Sequence, residues 1–131
     1  MIVTDLNGKI HKLNLSLYKK SRSGSSALHK ETVQILKELY PACLILEELP
    51  LKGTNPLLFL DIFVPSLMLG VEVNGKQHSQ YTRFYHKDKA GFIRAKANDK
   101  RKIEWLELNG IRLIILDESQ RDEWKNQLQN L

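Results

Sequence analysis

The chain has 131 residues, 42% of them hydrophobic and 27% charged, which fits one soluble globular domain with a core of its own. No apolar run approaches the roughly 20 residues that span a bilayer, "MIVTDLNGKIHKL" lacks the apolar core of a signal peptide, and the single cysteine, Cys43, excludes an internal disulfide or a multi-cysteine metal site. Lys and Arg number 20 against 15 Asp and Glu, a formal charge of +5, and a reducing, cytoplasmic setting fits the cysteine usage.

In chain order, Ile2 to Leu15 reads as a β-hairpin, with Asn7-Gly8 suited to a type I′ turn. "KKSRSGSS" is a basic, polar connection. A helix is predicted over Ser26 to Tyr40, carried by Leu28, Ile35, Leu36 and Leu39 and stopped by Pro41. Three strands follow: Cys43 to Leu49, Leu57 to Val64, and Leu67 to Val73. Pro50, Gly53 and Pro56 mark the first turn between them, and Pro65-Ser66 the second. Cys43, in the apolar run "ACLIL", reads as a small buried hydrophobe. A long helix is predicted over Lys89 to Asn109, with Gly110 as its stop. "IRLIIL" is apolar on both faces and reads as a central strand. Ser119 to Leu131 suits a short polar helix, with Ser119 as its cap. The expected fold is α/β, a mixed sheet with helices on its faces. Its expected layout is one domain: a hairpin and basic linker over 1–24, a core over 25–116, and a terminal helix over 117–131.

Two carboxylates interrupt the apolar run "FLDIFVPSLMLGVEVNGKQH". By strict alternation Asp61 shares a face with Phe59 and Phe63, while Leu58, Leu60, Ile62 and Val64 take the other. A hairpin about Pro65-Ser66 that pairs Val64 with Leu69 puts Asp61 opposite Glu72. Like charges that close repel unless a cation lies between them. Glu31 falls at the edge of the first helix's apolar stripe. Asp99 falls on the stripe of Phe92, Ala95, Ile103 and Leu106. Each acid alone fits a salt bridge or a cap; all four together fit a shared divalent-cation site, Mg²⁺ or Mn²⁺. The turn after Glu72 adds Lys76, suited to stabilising an anion, and His78, suited to general base chemistry. His11 and His29 lack such context, and Asp88 fits a helix cap. Cations crowd the stretch from Lys76 to Lys102, including Arg83, Lys87, Arg94, Lys96, Lys100 and Arg101. Such a cluster suits a nucleic-acid backbone, or else a solvated helix face.

"LDIFVP" followed by "GVEVNGKQH" resembles the core of the PD-(D/E)XK nuclease superfamily, and "NDKRKIEWLELNGIRLIIL" resembles the matching segment of its very-short-patch-repair branch. That branch includes phage-associated homing endonucleases with an E-D-x-H-D pattern. The resemblance covers about Ser25 to Leu116. It implies a restriction-endonuclease-like α-β-β-β-α-β core and a Mg²⁺- or Mn²⁺-dependent endonuclease acting on DNA. It assigns Glu31, Asp61, His78 and Asp99 to the pattern and Glu72 to the second acidic position, with the metal on Asp61, Glu72 and Glu31. The superfamily's Glu-x-Lys would put lysine at position 74, where this chain has Asn74; Lys76 or His78 would then supply the base. A catalytically inactive nucleic-acid- or partner-binding module on the same fold is the alternative. No separate recognition domain is visible, so specificity would come from a homodimer or a separate partner.

Overall fold

The computed structural model describes residues 1–18, 26–75, 89–129 and 131. Strands β1 (Ile2–Thr4) and β2 (Ile10–Lys12) form a small antiparallel sheet. Strands β3 (Leu46–Leu51), β4 (Leu58–Val64), β5 (Leu69–Asn74) and β6 (Arg112–Asp117) form a mixed sheet in that spatial order. The first two pairings are antiparallel, and β5–β6 is parallel. Helix α1 (Ala27–Leu39) precedes β3, α2 (Lys89–Leu108) separates β5 from β6, and α3 (Trp124–Gln129) follows a 3₁₀ turn. Among the described residues the order from α1 to β6 is α-β-β-β-α-β, and the fold is mixed α/β. No helix among the described residues is long and apolar enough to cross a membrane.

Local chemistry accounts for most boundaries. The Ser26 side chain accepts the His29 amide at 3.1 Å and caps α1. At the far end of α2, Gly110 takes a φ of 68°. Its amide donates to Glu107 at 3.1 Å, and that of Ile111 donates to Leu106 at 2.9 Å. These are the paired bonds of a Schellman stop, completed by apolar packing of Ile111 with Leu106. The hairpin turn differs from the expected type I′. Only Gly8 has positive φ there, and the loop closes through the Asp5 amide donating to the Lys9 carbonyl at 2.9 Å. Asn109 ties this hairpin to α2, accepting the Thr4 amide at 2.8 Å and donating to the Thr4 carbonyl at 2.9 Å.

Helices cover both faces of the main sheet. α1 and α3 bury Val33, Leu36, Trp124 and Leu128 against Ile62, Val64, Leu69, Val71 and Leu116. α2 and the hairpin bury Trp105, Leu106, Val3 and Leu13 against Leu46, Leu49, Leu60 and Phe63. The strict alternation expected of β4 therefore fails. Leu58 and Leu60 lie with Phe63 on the α2 side, while Ile62 and Val64 lie on the α1 side. The same slip occurs in β3, where Leu46, Leu49 and Leu51 share the α2 side. The two slips fall at Asp61 and Glu48. Register survives them, because Glu47 pairs with Ile62 before the break and Leu49 with Leu60 after it.

Four further expectations change. Pro50 lies inside β3 rather than in a turn, which an edge strand tolerates because its outer amides need no partner. Among the described strands β6 stands at the edge rather than the centre, and Ile115 on it is 49% exposed. Cys43 is half-buried, with its sulfur accepting from the Ser66 hydroxyl. Asp117, rather than Ser119, caps the 3₁₀ segment Glu118–Glu123 that leads into α3, accepting the Ser119 amide at 2.9 Å.

Candidate metal centre

Strands β3, β4 and β5 each bring one acid to the same level of the sheet. Val64 pairs with Leu69, Phe63 with Gly70 and Ile62 with Val71, as the Pro65-Ser66 turn predicts. One step further stand Asp61 and Glu72, and there side chains replace the backbone ladder. The Asp61 amide donates to Glu72 Oε2 at 2.9 Å, and the Val73 amide donates to Asp61 Oδ2 at 3.0 Å. On the other side of β4, Glu48 occupies the position opposite Asp61. Its φ is 54°, a left-handed conformation that a residue with a Cβ rarely adopts. Such strain costs on the order of 1–3 kcal/mol and gathers at functional sites.

Glu72 is buried on the α2 side, where Lys102 Nζ donates to its Oε1. Burial pushes the Glu72 carboxyl up from 4.5 to about 8, and the Asp61 charge beside it adds to the rise. The Lys102 ammonium opposes this without cancelling it. Among the described residues, one lysine thus faces two crowded carboxylates.

On the α1 side, a nitrogen of His29, an oxygen of Glu48 and an oxygen of Asp61 lie within 4.8 Å of one another. His29 belongs to the buried stripe of α1 with Thr32, Val33 and Leu36. Its Nε2 bonds to Glu47 Oε1 at 2.6 Å, and both side chains are buried.

The structure brings together only part of the expected set. Asp61 and Glu72 adjoin. Glu31 does not join them: it lies two residues past His29, about 200° round the helix, and accepts from Arg121 Nε at 2.5 Å. Asp99 is exposed rather than set in a core stripe, because the first half of α2 buries nothing fully; only Trp105 and Leu106 of that helix are buried. It still lines a groove of about 510 Å³ with Glu72, Asn74, Lys96, Lys100 and Lys102. Lys96 also lies over the Phe92 ring, 5.5 Å from its centroid. Arg94 is exposed on α2, and Arg101 Nη1 donates to the Asn55 carbonyl at 2.9 Å. Lys76, His78, Arg83, Lys87 and Asp88 lie outside the described residues.

His29, Glu47, Glu48 and Lys102 do not stand out as site residues in the sequence. A signal exists for two of them. "LILEELPL" sets Glu47 and Glu48 inside an apolar strand, the same anomaly that marks Asp61.

No family model matches the chain, and no solved structure matches it. Among curated proteins it is 38% identical over 65 residues to uncharacterized protein 033L of Invertebrate iridescent virus 3, and 36% identical over 63 residues to uncharacterized protein 307L of Invertebrate iridescent virus 6. The alignments cover 50% and 48% of this chain and 32% of each relative, so the chain spans about a third of those proteins' length. Neither relative's name states an activity.

Proposed function

We propose that the chain is a metal-dependent endonuclease that hydrolyses phosphodiester bonds, with DNA as the favoured substrate. The observation that carries this reading is the crowding of Asp61 with Glu72 at a break in the sheet, beside a groove lined by Lys96, Lys100 and Lys102. Carboxylate oxygens suit Mg²⁺ or Mn²⁺, which Asp61 and Glu72 would hold. A bound ion would polarise the phosphate and lower the pKa of an attacking water. The lysines of the groove would hold the phosphates and give affinity without sequence information. Asp99 would orient the base or complete the metal shell, and the resemblance assigns the base to His78 or Lys76. Glu31, paired with Arg121, has no part in this reading. The protein would act in the cytoplasm, and a second copy or a separate partner would supply sequence recognition.

Asn74 favours a second reading, a nucleic-acid-binding module without catalysis on the same fold. It stands where the superfamily carries its lysine. Plasmid DNA incubated with Mg²⁺, Mn²⁺ or EDTA separates the two. The nuclease reading expects nicked or linear products with metal and none with EDTA. Salt-sensitive binding with no cleavage in either metal would replace it with the second.

A further inference from the structure

The trio of His29, Glu48 and Asp61 is not explained by a nuclease centre on Asp61 and Glu72. It joins one imidazole to two carboxylates, contributed by α1, β3 and β4, with donor atoms within 4.8 Å of one another. The imidazole is fixed rather than free to turn. Its Nε2 bonds to Glu47 Oε1 at 2.6 Å, and the two side chains are only 7% and 5% exposed. A carboxylate behind a histidine sets the ring's orientation and tautomer and raises its basicity, the arrangement that metal-ligating histidines keep. Glu48 reaches the trio from a backbone held at a φ of 54°. Asp61 reaches it from the paired position on β4, where the alternation slips.

The donor chemistry selects a class of ion. Mg²⁺ prefers oxygen ligands in near-ideal octahedral geometry and gives up water reluctantly. Imidazole suits Zn²⁺, Fe²⁺ and Ni²⁺, and affinity for such a mixed nitrogen and oxygen set rises from Mn²⁺ through Fe²⁺ and Co²⁺ to Ni²⁺ and Cu²⁺. We propose that His29, Glu48 and Asp61 form a second cation site, on the α1 side of Asp61, that takes a divalent transition metal such as Zn²⁺ or Co²⁺ in preference to Mg²⁺. The site shares Asp61 with the nuclease centre, but its binding of a metal needs no phosphodiester chemistry.

The test uses the full chain, stripped of metal by chelation and titrated with Co²⁺, whose visible absorption reports its ligands. One Co²⁺ per folded chain is expected, displaced by equimolar Zn²⁺ and not by a hundredfold excess of Mg²⁺. Glu48→Gln should weaken Co²⁺ by about tenfold or more, while Glu72→Gln should change it less than twofold. His29→Gln tests the imidazole directly, and because His29 is buried its folding is checked by circular dichroism. If that variant unfolds, Glu48→Gln alone decides. No Co²⁺ bound by the folded protein, unchanged binding in Glu48→Gln, or equal competition by Mg²⁺ would each overturn the proposal. Cleavage is scored separately on the same samples. Co²⁺ binding without cleavage in any metal sinks the nuclease reading and keeps this site; Mg²⁺-dependent cleavage without Co²⁺ binding does the reverse.

Discussion

Two histidine–carboxylate pairs in this chain are built from the same chemistry and are set in opposite surroundings. In the hairpin, His11 Nε2 meets Asp5 Oδ2 at 2.8 Å, and Asp5 Oδ1 accepts the amides of Asn7 at 2.8 Å and Lys9 at 2.9 Å. Every oxygen of that carboxylate meets a donor, and those bonds, the His11 contact first, hold its pKa below the usual value. In the main sheet, His29 meets Glu47, and next to that pair Asp61 has Glu48 on one side and Glu72 on the other. There burial and the Asp61 charge drive Glu72 upward. The Asp5 carboxylate meets donors on both oxygens and closes a turn; Asp61 and Glu72 crowd each other across a break in the sheet, with Lys102 as the cation on Glu72.

The sharpest way to break this contrast is to neutralise one acid in each region. Asp61→Asn should reduce Mg²⁺-dependent cleavage by about a thousandfold or more, since a bound metal contributes several kcal/mol to the transition state. Asp5→Asn should leave cleavage unchanged. Without metal, Asp61→Asn should melt at the same temperature or higher, because asparagine keeps an oxygen for the Val73 amide and removes a repelling charge. A much lower melting point with unchanged cleavage per folded molecule would make Asp61 a structural residue.

The pH dependence of stability should differ in sign. Glu72 has a folded-state pKa raised from 4.5 to about 8, so the folded protein holds a proton there that the unfolded chain has lost. Metal-free stability should therefore fall as pH rises from about 4.5 to about 8, then level off. Glu72→Gln should flatten that slope in thermal melts. Asp5 has a lowered pKa, so its contribution is present above 3.8 and is lost as pH falls through its folded value.

Next in size is the salt dependence of binding. Replacing Lys96 and Lys100 with alanine should reduce the slope of log K against log salt by about 0.9 for each phosphate no longer neutralised. Fluorescence anisotropy of a labelled duplex measures this. The smallest effect belongs to the hairpin: Asp5→Ala should lower the melting temperature modestly and leave Co²⁺ binding as it was.

The fold is legible in the sequence where one physical signal dominates. Ser26, Pro41, Pro65 and Gly110 bracket their elements through caps and φ preferences, and the helical period places α1 and α2. The pairing of Val64 with Leu69 follows from the length of the turn. The position of β6 is not legible, because a strand apolar on both faces reads the same whether central or at an edge. The choice between Glu31 and His29 rests on about 200° of helix rotation, which apolar spacing alone leaves open. Glu48 is hidden by strict alternation, which presumes a strand without left-handed residues. Lys102 comes to Glu72 only once α2 lies across the sheet, and no local pattern encodes that packing.

The coincident slips at Glu48 and Asp61 bear on how such a chain can change length. With Glu48 removed from β3, Leu46, Glu47 and Leu49 would alternate regularly; with Asp61 removed from β4, so would Leu60, Ile62 and Phe63. Each acid behaves as one residue inserted into an otherwise ordinary strand, and the insertions face each other. Loss of either alone would shift half a strand by one place and turn its apolar side chains to the wrong layer. Loss of both would leave a plain antiparallel pair. Among relatives, then, these two positions should be gained or lost as a couple, and a shortened chain could keep its architecture while giving up its chemistry.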